Sequence, residues 1–128
     1  MRVLLDTHAF LWWIMDDPQL SDRSREIISD GRNEILFSAA SGWEIAIKAR
    51  IGRLILPNPP DKFISEQIVE NAFTPLAVQL SHALHVFHLP EHHKDPFDRL
   101  LISQCQLEGI PILTTDLFIP EYAVDVIW

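Results

Sequence analysis

Short apolar runs alternate with amphipathic stretches along the whole chain. The first run, from Arg2 to Asp6, ends on a carboxylate, and similar runs begin at Glu34 and Ile110. Short Val-, Ile- and Leu-rich runs that end at polar residues are typical of strands buried on both faces of a parallel sheet. The pattern therefore predicts three buried strands, with Asp6 at the carboxyl end of the first.

Two further strands are predicted more weakly. Phe73 to Val78 is apolar, but Pro75 lies inside it and favours an early or edge position, because proline cannot donate to a sheet ladder. Val124 to Trp128 would form the last strand. Between the strands, capping residues and stop signals predict helices after Asp6 and over residues 22–31, 40–51, 61–71, 81–88 and 95–109.

Strands that alternate with helices along a chain are typical of an α/β domain. We therefore predict one domain over residues 1–128, with three α/β/α layers and a mainly parallel sheet of four to five strands.

The aromatic and apolar positions of two helices predict how those helices pack. Trp43, Ile47 and Ile51 recur every fourth residue, which predicts one packed stripe. Trp12 and Trp13 are adjacent and cannot both face one core. One should lie inside, and the other should be partly exposed as a candidate interface residue.

Composition restricts the cellular environment and the partners that the sequence predicts. The single cysteine, Cys105, cannot form an internal disulfide, which fits a reducing, cytoplasmic environment. We expect no membrane span and no signal peptide, because Asp6 and His8 interrupt the apolar N-terminal stretch. The formal net charge of −8 argues against simple electrostatic binding of nucleic acid, unless the acids hold cations.

Four acids stand where the predicted strands end or the predicted helices begin: Asp6, Glu44, Asp98 and Asp116. Each also has a structural explanation: a helix cap for Asp6, a Ser41–Glu44 capping box, a first-turn position for Asp98 and a turn for Asp116. In a parallel sheet, however, these positions share one edge. The four carboxylates are therefore expected to converge.

Converging carboxylates need protons or cations, because two of them about 4 Å apart repel by roughly 1 to 4 kcal/mol across plausible dielectrics. A cluster of oxygen ligands without cysteine selects a hard ion, Mg²⁺ or Mn²⁺. Such ions commonly serve phosphodiester chemistry.

Four ordered stretches carry a resemblance to a known family. They are Val3 to His8, Ser38 to Lys48, Asp95 to Ile102 and Leu113 to Asp116. Together they resemble the PIN-domain ribonucleases, and most closely the VapC-type toxins of bacterial toxin–antitoxin pairs.

The resemblance implies a metal-dependent endoribonuclease that cleaves RNA with a metal-activated water. It implies that Asp6 and Asp98 are the principal ligands of Mg²⁺ or Mn²⁺, and that Glu44 and Asp116 complete the pocket. It also implies a homodimer and a cognate antitoxin. Supporting hydroxyls would be those of Thr7, Ser38 and Thr115, and the candidates for contacts with flanking phosphates are Lys48, Arg50 and Arg99.

Three alternatives remain open. A zinc site could use His82, His85 and His88, although their spacing drifts around a helix, and the following pair, His92 and His93, is more simply explained as solvated. A phosphate-responsive receiver domain would need an acid ending the third strand, which Val78 and Gln79 do not supply. A non-catalytic RNA- or protein-binding PIN-like module would share the fold.

Overall fold

The computed structural model describes residues 1–128. Its centre is a five-stranded, wholly parallel sheet. The strand order is β3-β2-β1-β4-β5. This confirms the predicted α/β fold with a mainly parallel sheet. The strands are β1 (Arg2–Leu5), β2 (Glu34–Ser38), β3 (Thr74–Leu76), β4 (Ile112–Leu113) and β5 (Val126–Ile127).

Six α-helices connect and cover these strands, and none has the length and apolar character needed to cross a bilayer. They are α1 (Thr7–Ile14), α2 (Asp22–Ser29), α3 (Ala39–Arg50), α4 (Pro60–Glu70), α5 (Leu80–His85) and α6 (Pro96–Glu108). Short 3₁₀ turns lie at Val86–His88 and Ile119–Glu121.

The helix ends show how local chemistry sets each boundary. Asp95 caps α6 by accepting the backbone N–H groups of Phe97 and Asp98, and the helix stops at Gly109, whose φ of 66° suits glycine. The helix predicted over residues 61–71 begins one residue earlier, at Pro60, so Asp61 lies in its first turn and does not cap it.

The central strand β1 is buried on both faces, and its side chains alternate between two apolar cores. Val3 and Leu5 pack in a cluster with residues of α1, α2 and α3. Leu4, between them, packs in a second cluster to which α6 contributes Leu101, Ile102 and Cys105. Burying one such side chain contributes roughly 1.5–3 kcal/mol. The two cores make the three layers of the fold.

The structure corrects the predicted packing of α3. Trp43, Ile47 and Ile51 are 61%, 37% and 58% exposed. The inward face of α3 instead carries Ile45 and the polar residue Glu44. The helix turns this mixed face inward because Glu44 has hydrogen-bond partners there, and the stripe expected to form a core therefore points outward.

The two adjacent tryptophans of α1 are both partly buried, rather than one inside and one out. Trp13 donates from Nε1 to the side-chain oxygen of Asn71, 2.9 Å away. Trp12 packs edge-on against Trp128, with ring centroids 5.8 Å apart. Both rings therefore have intrachain partners.

Strand order creates a crevice beside β1. The chain proceeds from β1 to β2 and β3 on one side, and returns to β4 and β5 on the other. In open α/β sheets, ligands bind at the carboxyl ends of strands where the order reverses in this way. Here the reversal lies between β1 and β4, next to Asp6.

Candidate metal-binding site

Asp6 lies at this point of reversal and is almost completely buried, with 5% of its surface exposed. Its Oδ1 accepts the N–H of Ala9 at 2.7 Å, so it caps α1 as expected. Its Oδ2 accepts the hydroxyl of Thr114 at 2.5 Å. Burial raises the pKa of Asp6 above its ordinary value, while the bonds from Thr114 and Ala9 oppose that rise. The carboxylate is therefore held rigidly in a site that disfavours its charge.

Thr114 holds Asp6, a role that the sequence did not reveal. The register pairs Leu5 with Leu113, so the next residues, Asp6 and Thr114, stand opposite each other. The expected supporting residue, Thr115, is exposed and lines a cavity of about 250 Å³ with Asp6 and Asp116. Counting along two paired strands from a known register would have identified Thr114.

Glu44 enters the pocket from α3 and is 5% exposed. Its Oε1 accepts the hydroxyl of Thr7 at 2.6 Å, and its Oε2 lies 2.7 Å from Nζ of Lys48. Thr7 has one proton to give, so it donates to the carboxylate and accepts from Ser41, 3.0 Å away. Glu44 therefore reaches the pocket with its charge offset by Lys48. It lies in the second turn of α3 and is not part of a capping box, because the helix is capped by Ser38.

Asp98 projects from the first turn of α6 and is the electrostatic focus of the site. Burial raises its pKa to about 8, with further contributions from the negative charges of Asp95, Asp116, Asp6 and Glu44. The acids predicted to converge are thus close enough to act on one carboxyl group. Unlike Glu44, Asp98 forms no ion pair with a lysine or arginine.

His93 also reaches this cluster, although the sequence suggested a solvated loop residue. Its side chain is only 9% exposed, and its Nε2 lies 3.6 Å from Oδ2 of Asp98. One ligand atom each from His93, Asp98 and Asp116 lie within 4.8 Å of one another. The expectation of a solvated His93 is therefore wrong, because the loop folds its ring against Phe118 and Tyr122.

The other histidines do not assemble a zinc site. His82 is buried and bonds Glu108 at 2.9 Å, whereas His85 bonds Gln106 at 2.7 Å. These contacts join α5 to α6. The structure thus gives the helical histidines packing partners.

Several residues expected near the site make other contacts. The hydroxyl of Ser38 donates to Gln104 at 2.6 Å and bonds no acid. Arg99 donates to the carbonyl of Pro90 at 2.8 Å and to the hydroxyl of Tyr122 at 3.0 Å. Its guanidinium therefore fastens the preceding loop instead of extending toward solvent. Arg50 is exposed in the last turn of α3.

The donor set fits a hard divalent cation. Asp6, Asp98 and Asp116 offer carboxylate oxygens, the ligands that Mg²⁺ and Mn²⁺ prefer. Burial and then the negative charges of the neighbouring acids raise the pKa of Asp98, so its ionised form is unfavourable in this pocket. A bound cation would relieve that repulsion.

We expect Thr114→Val to lower the free energy of unfolding by about 1–3 kcal/mol, because it leaves a buried carboxylate oxygen of Asp6 without its donor. Thr114→Ser keeps the hydroxyl and should cost much less. Urea denaturation of both variants would measure the difference. Equal losses in the two variants would show that packing, and not the hydrogen bond, accounts for the effect.

The raised pKa of Asp98 predicts a pH dependence of stability without metal. Folded Asp98 keeps its proton up to a pKa of about 8, whereas the unfolded chain loses it near its ordinary pKa of 3.8. The stability present at low pH is therefore lost progressively as pH rises from about 4 through about 8, by at most several kcal/mol in total.

Thermal unfolding in chelator between pH 5 and 8.5 would measure this loss. Asp98→Asn should flatten the profile, because the amide does not titrate. Mg²⁺ or Mn²⁺ should restore stability at high pH, since ligand carboxylates bind metal in their deprotonated form. An unchanged slope in Asp98→Asn would exclude Asp98 as its source.

Comparison with known proteins agrees with this geometry. Residues 3–124 match the PIN domain family. Ribonuclease VapC16 from Mycobacterium tuberculosis is 41% identical over 64 residues, which are 50% of this chain and 45% of that protein. The aligned region thus covers less than half of that relative.

Solved structures share the fold at low sequence identity. VapBC2 from Rickettsia felis, bound to a DNA fragment from its promoter, has a TM-score of 0.72 at 13% identity and covers 100% of this chain and 99% of that one. FitAcB from Neisseria gonorrhoeae has a TM-score of 0.64 at 16% identity, with 98% and 96% covered. With the match over residues 3–124, these findings lead to one conclusion: the chain belongs to the PIN domain family.

Proposed function

We propose that this chain is a metal-dependent endoribonuclease that acts as the toxin of a toxin–antitoxin pair. One observation carries the proposal: Asp98 sits at the carboxyl-end crevice with a pKa raised by burial and by the charges of the other acids. Acids gathered in this way destabilise the fold unless they hold protons or a cation. The similarity to Ribonuclease VapC16 supports RNA as the substrate.

Asp6, Asp98 and Asp116 would hold the ion, and Glu44 would complete the pocket beside them. Thr114 and the Ala9 N–H fix the orientation of Asp6, while Thr7 and Lys48 fix that of Glu44. When bound, Mg²⁺ or Mn²⁺ supplies an activated water and neutralises charge on the scissile phosphate. Because the nucleophile would be water, RNA cleavage needs no nucleophilic side chain.

Substrate affinity has to overcome the formal charge of −8. Lys48 is paired with Glu44, and Arg99 is bonded to loop carbonyls and Tyr122. Of the three basic candidates, exposed Arg50 is the one left to contact a flanking phosphate. We infer that RNA binding depends mainly on the ion and on a single-stranded or looped backbone that can enter the crevice.

Asp6→Asn and Asp98→Asn should each lower RNA cleavage by about a hundredfold or more, because each removes a charged ligand. The test incubates purified protein with total cellular RNA and Mg²⁺ or Mn²⁺, then maps the new ends. Asp125→Asn is the matched control, since Asp125 is exposed and precedes β5 at the opposite edge of the sheet.

Circular dichroism would establish that the variants remain folded. Undiminished cleavage by folded, contaminant-free Asp6→Asn or Asp98→Asn would refute the assignment. A wild-type protein that binds the ion yet cleaves no RNA would instead indicate a non-catalytic PIN-like module.

We further propose a cognate antitoxin and a homodimer as partners. The matched structures of VapBC2 and FitAcB support a second protein bound to this fold. An aromatic pair borders the acidic pocket: Trp43 of α3, 61% exposed, packs edge-on against the partly buried ring of Phe97, which precedes Asp98. A partner that covers the pocket would bury this pair.

Trp43→Ala should weaken antitoxin binding by about tenfold or more, as expected for an exposed tryptophan buried at an interface. The partner to test is the small protein encoded beside this chain's gene, purified and titrated against each variant by calorimetry. Ile55→Ala, at an exposed apolar residue in the connector between α3 and α4, is the control and should bind normally. Light scattering would measure the dimer, and equal affinities would place the antitoxin elsewhere.

A further inference from the structure

His93 carries the one buried side-chain nitrogen or oxygen in the chain that has no hydrogen-bond partner, its Nε2. Buried polar atoms are nearly always paired, so an unpaired one calls for an explanation. This atom is closed off from solvent among the acids, beside Asp98 and Asp116 and 3.6 Å from Oδ2 of Asp98, which is too far for a hydrogen bond. A group bound between these acids would give it the partner that it lacks.

The hydrogen bonds behind the ring determine which nitrogen carries the proton. The guanidinium of Arg99 can only donate, so the hydroxyl oxygen of Tyr122 accepts from it at 3.0 Å. Tyr122 is 3% exposed, and its own proton has one acceptor within reach, Nδ1 of His93 at 2.8 Å. With Nδ1 accepting that proton, neutral His93 carries its own proton on Nε2.

A protonated Nε2 is a hydrogen-bond donor and has no lone pair for a metal. The carboxylates of Asp98 and Asp116 remain as metal ligands beside it. An incoming phosphodiester brings non-bridging oxygens to these ligands, and those oxygens are strong acceptors. Lys48 pairs with Glu44 and Arg99 bonds the preceding loop, so His93 is the donor that stands beside Asp98 and Asp116.

We propose that Nε2–H of His93 binds a phosphate oxygen of the RNA at the metal-loaded pocket, with Arg99 and Tyr122 as positioning residues that hold the proton on Nε2. The inference rests on the proposed nuclease function for its substrate. It adds a neutral donor to a pocket otherwise built of acids. The proposal assigns no proton transfer to His93, only a hydrogen bond.

The tautomer can be measured without any nuclease assay. Long-range ¹H–¹⁵N NMR of histidine-labelled, Mg²⁺-loaded protein should show His93 protonated at Nε2, and its Nε2 resonance should move when inorganic phosphate is added. Tyr122→Phe removes the hydroxyl and should mix the two tautomers. A proton on Nδ1 in the wild type would overturn the proposal.

Affinity measurements distinguish whether His93 donates a hydrogen bond to phosphate or is a ligand of the metal. His93→Phe should weaken inorganic phosphate binding to the Mg²⁺-loaded protein about tenfold, the loss expected for one hydrogen bond to a charged acceptor. Mn²⁺ affinity, followed by electron paramagnetic resonance, should stay nearly unchanged, because a protonated Nε2 cannot be a metal ligand. His93→Gln, whose amide offers an N–H near the Nε2 position, should restore most of the phosphate affinity.

The control is His88→Phe, the same substitution at an exposed histidine, which should leave both affinities unchanged. Unchanged phosphate affinity in His93→Phe would overturn the proposal. So would a large loss of Mn²⁺ affinity together with a ¹⁴N coupling that depends on His93, because it would make His93 a metal ligand. These measurements use phosphate and Mn²⁺ and do not depend on RNA cleavage. A protein that cleaves no RNA would therefore refute the nuclease function alone.

Discussion

The buried carboxylate of Asp6 constrains the rest of the site. It stands where the strand order reverses, and folding leaves only 5% of its surface exposed. A charge in such a place needs several donors, and two elements supply them: the first turn of α1 through Ala9, and the end of β4 through Thr114. These two hydrogen bonds stabilise the buried carboxylate and also fix its orientation.

The acids around Asp6 are stabilised in different ways, and this divides their roles. Glu44 has a lysine and a threonine of its own, so its negative charge is largely satisfied within the chain. Asp98 has no basic partner of that kind, and its pKa rises to about 8 because of burial and the surrounding acids. Ionised Asp98 is therefore unfavourable in the folded protein, and either a proton or a divalent cation beside it relieves the repulsion.

Hydrogen bonds also fix the loop before α6, which carries His93. Arg99 bonds the carbonyl of Pro90 and the hydroxyl of Tyr122, and Tyr122 in turn contacts His93. An arginine that the sequence offered for phosphate binding thus holds the loop in place. Its planar guanidinium suits this task, because it can donate to several acceptors at once. The loop position of His93 depends on that network.

The pattern of apolar runs and caps was enough to predict the parallel sheet, most helix boundaries and the convergence of the acids, because these features depend on local periodicity and on one topological rule. It failed where two faces of one helix competed. In α3 the apolar stripe of Trp43 and Ile47 faces outward, since Glu44 finds its partners inside. Periodicity alone cannot weigh a buried hydrogen bond against an apolar face.

The sequence by itself therefore determined the fold class and the residue types gathered at one edge of the sheet. Only the tertiary structure decided which neighbours act on them: Thr114 and not Thr115 beside Asp6, and a buried His93 beside Asp98. These choices depend on strand register and on how a loop closes over a core. Both arise from contacts between residues far apart in the chain, such as Asp6 and Thr114, and no local pattern records them.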